Sequence, residues 1–346
     1  MFASSAPPLR RFAPLPPQAG EGISERRLHP MTQADKTRCG FVAVIGAPNA
    51  GKSSLVNALV GAKVSIVTHK VQTTRARVRG VAVDGATQLV FIDTPGIFAP
   101  RRRLDRAMVA AAWAALDGAD SILFIVDAPA YLAGTSAQKS DAAATRAAAD
   151  TDAIIGALKG KSLTAILVVN KIDKLPRPAL LGLVKSLNVQ GLFGETFLIS
   201  ALNGDGVADL KRRLAAAAPK GPWMYPEDQL SDISERLLAA EVTREKLTLR
   251  LHQELPYEAT VETETWERTK KGELRIEQTI YVAREGQKGI VIGKSGETLK
   301  AIGAAARKEL SELLGEPVHL FVTVKVRENW AEEAARYREM GLDIVD

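Results

Sequence analysis

Short apolar runs alternate with stretches of helical periodicity through the first two thirds of the chain. Phe41 to Ile45, Leu89 to Ile92, Ser121 to Val126, Leu163 to Val169 and Thr196 to Ile199 are almost continuously apolar, the pattern of strands buried on both faces. Val78 to Val83 precedes the second of these across a turn at Asp84-Gly85, which predicts a hairpin. Leu55 and Leu59 lie one helical turn apart ahead of Gly61, a residue able to close a helix in the left-handed conformation. Arg102 to Leu116 also favours helix. Strand then helix, repeated, predicts an α/β domain with a mostly parallel sheet, helices on both faces and a ligand at the strand C-termini. Gly134 to Asp150 is rich in Ala, Ser, Thr and Asp without a well-formed apolar stripe, and reads as an exposed insertion or a weak helix.

The pattern changes after Ala218, where Pro219, Gly221 and Pro222 mark a linker. Asp232 to His252 carries Ile233, Leu237, Ala240, Leu247 and Leu251 at helical spacing. Ala259 to Trp266 and Leu274 to Val282 alternate about a turn at Lys270-Lys271-Gly272. A short apolar helix, a long one with the stripe Leu299, Ile302, Ala306, Leu310 and Leu313, and a strand from Val318 to Val326 follow, giving the order α, β, β, α, α, β. The expected division is 37–218, a linker 219–230, a second domain 231–330 and a C-terminal helix or tail 331–346. In 1–36, Pro7, Pro8, Pro14, Pro16 and Pro17 would break any amphipathic helix carrying Arg10, Arg11, Arg26 and Arg27. That segment reads as a disordered leader, with Met31 an alternative start of translation.

A length of 346 residues, 46% hydrophobic and 25% charged, suits about two globular domains. The formal charge of +6 is modest evidence for an acidic partner such as nucleic acid. A single cysteine, Cys39, excludes an internal disulfide and a cysteine-ligated zinc site, agrees with a reducing compartment, and is read as a small buried hydrophobe. No apolar run approaches the roughly 18 residues needed to cross a bilayer.

Four loops at predicted strand ends carry the chemistry. Gly46-Ala47-Pro48-Asn49-Ala50-Gly51-Lys52-Ser53, followed by Ser54, fits GxxxxGK[ST] and so reads as a phosphate-binding loop whose amides face inward at a helix N-terminus. Lys52 would reach the β and γ phosphates, and the Ser53 hydroxyl would hold Mg2+. Asp93-Thr94-Pro95-Gly96 is a DxxG motif: Asp93 suits the Mg2+ shell, and Gly96 leaves its amide open to a γ phosphate. Asn170-Lys171-Ile172-Asp173 selects guanine, because the Asp173 carboxylate can accept from the N1 and N2 donors that adenine lacks. The Lys171 stem can lie over the base and Asn170 can tie neighbouring loops, while an amide of Ser200-Ala201-Leu202 can donate to guanine O6. The order of the four motifs, each at a strand end, points to GTP or GDP with Mg2+. Thr68 to Arg79, which contains Gln72-Thr73-Thr74-Arg75, has the composition of a mobile loop.

In the second domain, Gly293-Lys294-Ser295-Gly296 between a short apolar and a long amphipathic helix matches a KH module, whose loop clamps nucleic-acid backbone. Gly293 and Gly296 would let phosphate approach the main chain, with charge from Lys294 and Lys288. Ile290, Val291 and Ile292 would line the groove beside Ser295. A helix-turn-helix corner with solvated lysines is the structural alternative.

GAPNAGKSSLVNAL, QTTR and DTPGI together resemble the TrmE and Era group of GTPases rather than Ras. Tyr225-Pro226-Glu227-Asp228-Gln229, Arg244-Glu245-Lys246, Glu254-Leu255-Pro256-Tyr257 and Glu328-Asn329-Trp330 extend the resemblance to the Era family over nearly everything after residue 38. It implies a P-loop GTPase domain followed by an α+β type II KH domain, slow GTP hydrolysis with Lys52, Thr74 and Gly96 as its catalytic set, and binding of the 3′ region of small-subunit (16S) ribosomal RNA. It further implies a monomeric switch in 30S subunit biogenesis, cytoplasmic and peripherally associated with the inner membrane. By the same resemblance Thr74, ahead of Thr73, closes on Mg2+ and the γ phosphate, and Pro95 to about Arg106 forms a second switch. Ile97 stands where Ras-like enzymes place a water-orienting glutamine, so slow turnover raised by a partner is expected. Asn49 either holds K+, as in some members of the group, or braces the loop.

Overall fold

The computed structural model describes residues 37–343 apart from 69, 71–72, 137–140 and 252–254. The leader, the question of its start, Gln72, Glu254 and part of the 134–150 segment lie outside the described residues.

In chain order the first domain comprises β1 (Arg38–Gly46), α1 (Lys52–Val60), β2 (Val78–Asp84), β3 (Thr87–Asp93), α2 (Arg103–Ala114), β4 (Ser121–Asp127) and α3 (Ala128–Thr135). It continues with α4 (Ala142–Gly160), β5 (Ala165–Asn170), α5 (Arg177–Asn188), β6 (Phe193–Leu198) and α6 (Val207–Ala217). The sheet order is β2-β3-β1-β4-β5-β6, with β2 antiparallel to β3 and the other pairings parallel. Successive residues of each strand serve opposite cores, which is why both must be apolar. Val44 and Leu123 pack with Leu55 and Leu59 of α1 and Leu210 of α6, whereas Ile45 and Phe124 pack with Ile154 and Leu158 of α4 and Leu183 of α5. The helices on the two faces bring the C-terminal ends of β1, β3, β4 and β5 to one edge.

The 134–150 segment forms the end of α3 and the first half of α4. Asp141 caps α4 by accepting from the Ala143 amide at 2.5 Å. The missing stripe is real for the first turns of α4, which are exposed, and an apolar face begins at Ala148 and runs through Ile155 and Leu158.

The linker is no free tether. Gln88 accepts from the amides of Met224 and Tyr225 at 2.9 and 3.0 Å and donates to the Tyr225 carbonyl at 2.8 Å. Beyond it, the Val81 amide donates to Leu230 and Asp232 accepts from the Arg79 amide, which pins the chain along edge strand β2.

The second domain contains α7 (Glu235–Arg250), β7 (Ala259–Arg268), β8 (Leu274–Val282), α8 (Glu285–Ile292), α9 (Glu297–Leu314) and β9 (Val318–Val326), ahead of α10 (Ala334–Glu339). Its sheet runs β7-β8-β9, antiparallel then parallel. Leu247 of α7 and Ile302 of α9 bury against Ile280 and Val282. After β9 the chain returns to the first domain: Trp330, Tyr337 and Leu342 pack on Leu104, Met108 and Ala111 of α2.

Candidate functional site

The loop between β1 and α1 folds around its own lysine. The Lys52 ammonium donates to the carbonyls of Gly46 at 3.1 Å and Ala47 at 2.9 Å. Burial pulls its pKa down to about 8 against the opposing pull of the Asp93 carboxylate. Gly96 lies directly on this loop: a Cβ there would sit 2.9 Å from Pro48 Cα, so a side chain is excluded and the amide stays close to the phosphate-binding turn. Ile97 turns away from the pocket into the core with Ile45 and Phe124, which leaves it unable to orient water.

Three oxygen-bearing side chains meet beside Lys52. Ser53 Oγ and Thr74 Oγ1 are 2.8 Å apart, and Thr74 donates to Asp93 Oδ2 at 3.4 Å. Among the described residues Asp93 Oδ1 is buried with no partner, and burial raises the carboxyl pKa while Ser53 and Lys52 oppose the rise. A buried carboxylate oxygen left over next to two hydroxyls is a hard donor set that fits Mg2+, which takes few protein ligands and completes its shell with phosphate and water. Ser53, Thr74 and Asp93 would hold it, and it would neutralise charge on the phosphates. Thr73 also lines the cleft, but its hydroxyl is engaged by Thr68 and the Lys70 carbonyl at 2.8 and 2.7 Å. Of the two threonines, Thr74 is the one the structure places in the set.

At the other end of the cleft Asn170 joins two loops, donating to the Ala50 carbonyl at 2.9 Å and accepting from the Ala201 amide at 3.0 Å. Asp173 accepts from Ser200 Oγ at 2.7 Å, which fixes its carboxylate at the mouth with Ala201 and the exposed Leu202. Lys171, held at φ 65°, donates to the Asn49 carbonyl at 2.8 Å and pairs with Asp127.

The cleft is lined by Pro48, Asn49, Gly51, Lys52, Ser53, Ser54, Thr74, Gly96, Asn170, Lys171, Asp173, Ser200, Ala201 and Leu202 of the expected set. Ala50, Thr94 and Pro95 do not line it. The Ala50 carbonyl serves Asn170, and the Thr94 hydroxyl donates to the Val44 carbonyl at 2.8 Å behind the loop. Gly46 and Ala47 act through Lys52, and Asp93 stands behind Ser53 and Thr74. Sequence reasoning missed Lys70 and Lys174 in the lining, and Asp127 as partner of Lys171. The register would have found Asp127, because it lies opposite Asn170 at the end of the neighbouring parallel strand.

In the second domain α8 ends at Gly293, whose φ of 74° and ψ of 177° suit glycine and whose Cβ would strike Thr298 Oγ1 at 2.2 Å. Lys294 and Ser295 are exposed between the helices, Lys288 pairs with Glu285 at 3.0 Å, and Ile290 presents 59% of its surface. Val291 does not line the groove. It is fully buried with Ile302 and Ile280, because consecutive helical residues point about 100° apart and the run Ile290, Val291, Ile292 cannot share one face.

Two outcomes test the nucleotide site. Protonated Lys52 is the phosphate-binding form, and its folded-state pKa lies below the ordinary 10.5, so uptake is full below pH 8 and fades as pH rises through it. Calorimetry should show GTP affinity falling roughly tenfold from pH 7 to pH 9, with proton uptake at the higher pH; a flat profile contradicts the role of Lys52. Asp173→Asn should shift preference from guanine to xanthine nucleotides, since an amide donates where the carboxylate accepted. Competition binding that still favours GTP over the xanthine analogue would remove Asp173 as the base selector.

Comparison with known proteins agrees with this geometry. Residues 41–171 match the family model described as 50S ribosome-binding GTPase, and residues 254–331 match the KH domain. The chain is 58% identical over 312 residues to GTPase Era of Brucella suis, covering 90% of this chain and 96% of that protein. It is 57% identical over 308 residues to GTPase Era of Caulobacter vibrioides, covering 89% and 97%. Among solved structures, Era in complex with MgGDPNP and nucleotides 1506–1542 of 16S ribosomal RNA superposes with a TM-score of 0.78 at 37% identity, covering 88% of this chain and 99% of that one. A point variant of Aquifex aeolicus Era bound to GDP·AlF4− gives the same TM-score at 36% identity, with the same coverage. A P-loop GTPase domain joined to a KH domain, matched over nearly their whole length, means that this chain belongs to the Era family of GTPases.

Proposed function

We propose that this protein binds GTP and GDP with Mg2+, hydrolyses GTP slowly, and binds the 3′ region of 16S ribosomal RNA through residues 231–330 as a switch in 30S subunit biogenesis. The observation that carries the reading is the meeting of Ser53, Thr74 and the spare Asp93 oxygen beside Lys52, in a chain that also presents an exposed GxxG loop. Thr74 belongs to a segment that can close on a γ phosphate and open after its loss, which is how a phosphate becomes a signal. Hydrolysis rests on charge stabilisation by Lys52 and main-chain amides around Gly96, with Mg2+ adding to it. Since Ile97 supplies no water-orienting group, turnover is slow until a partner contributes one. Asn49, which lines the cleft and turns its carbonyl to Lys171, is a candidate to hold K+. We further propose a cytoplasmic monomer, with peripheral contact at the inner membrane as a lesser element of the same reading. Among the described residues no helix is long and apolar enough to cross a membrane.

Gly293→Asp with Gly296→Asp should weaken binding of an RNA of nucleotides 1506–1542 at least tenfold while GTP affinity stays unchanged. Loss of both affinities, or of neither, counts against the assignment. Turnover should be faster in potassium than in sodium at equal ionic strength; equal rates leave Asn49 as a structural brace.

A further inference from the structure

Several contacts between the two domains meet at one short turn. A 3-10 turn at Leu255–Glu258 leads into β7 at Ala259. Arg75, next in sequence to Thr74 and 2% exposed, donates to the Ala259 carbonyl at 2.8 Å. Its guanidinium also lies 5.6 Å from the centre of the Trp330 ring, and the Trp330 indole donates to the Glu258 carbonyl at 3.1 Å. Arg102, at the start of α2 in the second switch segment, donates to Glu258 Oε1 at 3.2 Å. The other carboxylate oxygen, Oε2, accepts from Gln287 on the first turn of α8. Gln287 in turn accepts from the amides of Ala283 and Arg284 at 2.9 and 3.0 Å, so it holds the start of the helix that ends in the GxxG loop.

We propose that the Leu255–Ala259 turn is the joint that couples nucleotide state to the RNA-binding face, with Glu258 shared between the second switch and the GxxG helix. This rests on the two-site reading given above. Both segments that respond to a γ phosphate hold this turn, one through Arg75 and one through Arg102. The buried Arg75 cannot leave the Ala259 carbonyl and the Trp330 face without losing the partners that offset its desolvation, so a displaced Thr74 carries the turn with it. A second-switch movement that withdraws Arg102 leaves Glu258 to Gln287 alone and changes the orientation of α8. Coupling of this kind is reciprocal: RNA that fixes α8 feeds back on Thr74 by the same free energy.

The test uses the full chain and an RNA of nucleotides 1506–1542 of 16S ribosomal RNA, the segment present in the Era complex. Fluorescence anisotropy gives RNA affinity with GDPNP and Mg2+ and again with GDP, and the ratio of the two is the coupling. In the unaltered protein that ratio should be at least about fivefold in one direction. Glu258→Ala should bring it to within twofold of one while nucleotide affinity without RNA stays within twofold. Arg102→Ala, at a half-exposed side chain, should lower the ratio without threatening the fold, and it decides the matter if Glu258→Ala does not fold. A ratio that persists in the folded variant overturns the joint and leaves the switch standing. A ratio of one in the unaltered protein removes the switch reading as well.

Discussion

The structure is organised around a buried charge that the protein alone does not fully satisfy. Among the described residues Asp93 is completely buried with one oxygen unmatched, and Lys52 is buried beside it with two carbonyls for its ammonium. Leaving ionised groups in such surroundings costs several kcal/mol unless they meet opposite charge. A metal ion and a polyphosphate supply what each group lacks, so ligand binding and stability of the loop are one free energy. Nearly every other feature of the first domain serves to keep these two groups dry and apart from bulk water while leaving the phosphate position open.

The parallel sheet meets that demand by bringing the ends of adjacent strands together. β1 delivers the phosphate loop, β3 delivers Asp93, and β5 delivers Asn170 and Asp173 to the same edge. Asn170 then fastens the phosphate loop to the Ser200 loop, so the base and phosphate ends of the cleft keep a fixed spacing. Thr73 and Thr74 line the remaining side of the cleft, and they are held from outside. Arg244 of α7 reaches the Thr73 carbonyl, and Glu245 accepts from the Val67 amide at 2.8 Å. Thr74 therefore sits between two sets of partners, the Ser53 hydroxyl on one side and the second domain on the other.

Much of this is legible in the sequence because strand ends and motif order are local properties. An apolar run that stops at Asp, Asn or Ser marks both a buried strand and the place where its chemistry begins, as Leu89 to Asp93 and Leu163 to Asn170 do. Sequence reasoning fails where it treats neighbours along the chain as neighbours in space. Apolarity groups Val291 with Ile290 and Ile292, yet helical rotation sends it into the core. Pro and Gly content marks a linker after Ala218 but carries no sign of its docking, because the side chain that binds its backbone is Gln88, distant in sequence. Pairings such as Lys63 with Glu245, or Asp127 with Lys171, leave no periodic trace and emerge only from the fold.

The chemistry of the domain contact explains how such an arrangement can be firm and still move. Its middle is polar: Arg79 with Asp232, Lys63 with Glu245 and Glu309, and Arg102 with Glu258. Part-exposed pairs of this kind contribute only about 0–1 kcal/mol each, because water competes for both partners. Apolar anchors stand at its two ends, Val78 with Ile233 and Leu238 on one side, and α2 with Trp330, Tyr337 and Leu342 on the other. Burial of those side chains holds the domains together without specifying a single register for the ion pairs between them. The differential energy of one γ phosphate, a few kcal/mol, is comparable to the sum of a few such pairs. A wholly apolar interface of the same extent would lock the domains, and a wholly polar one would let them separate; the observed mixture leaves the balance within reach of the nucleotide.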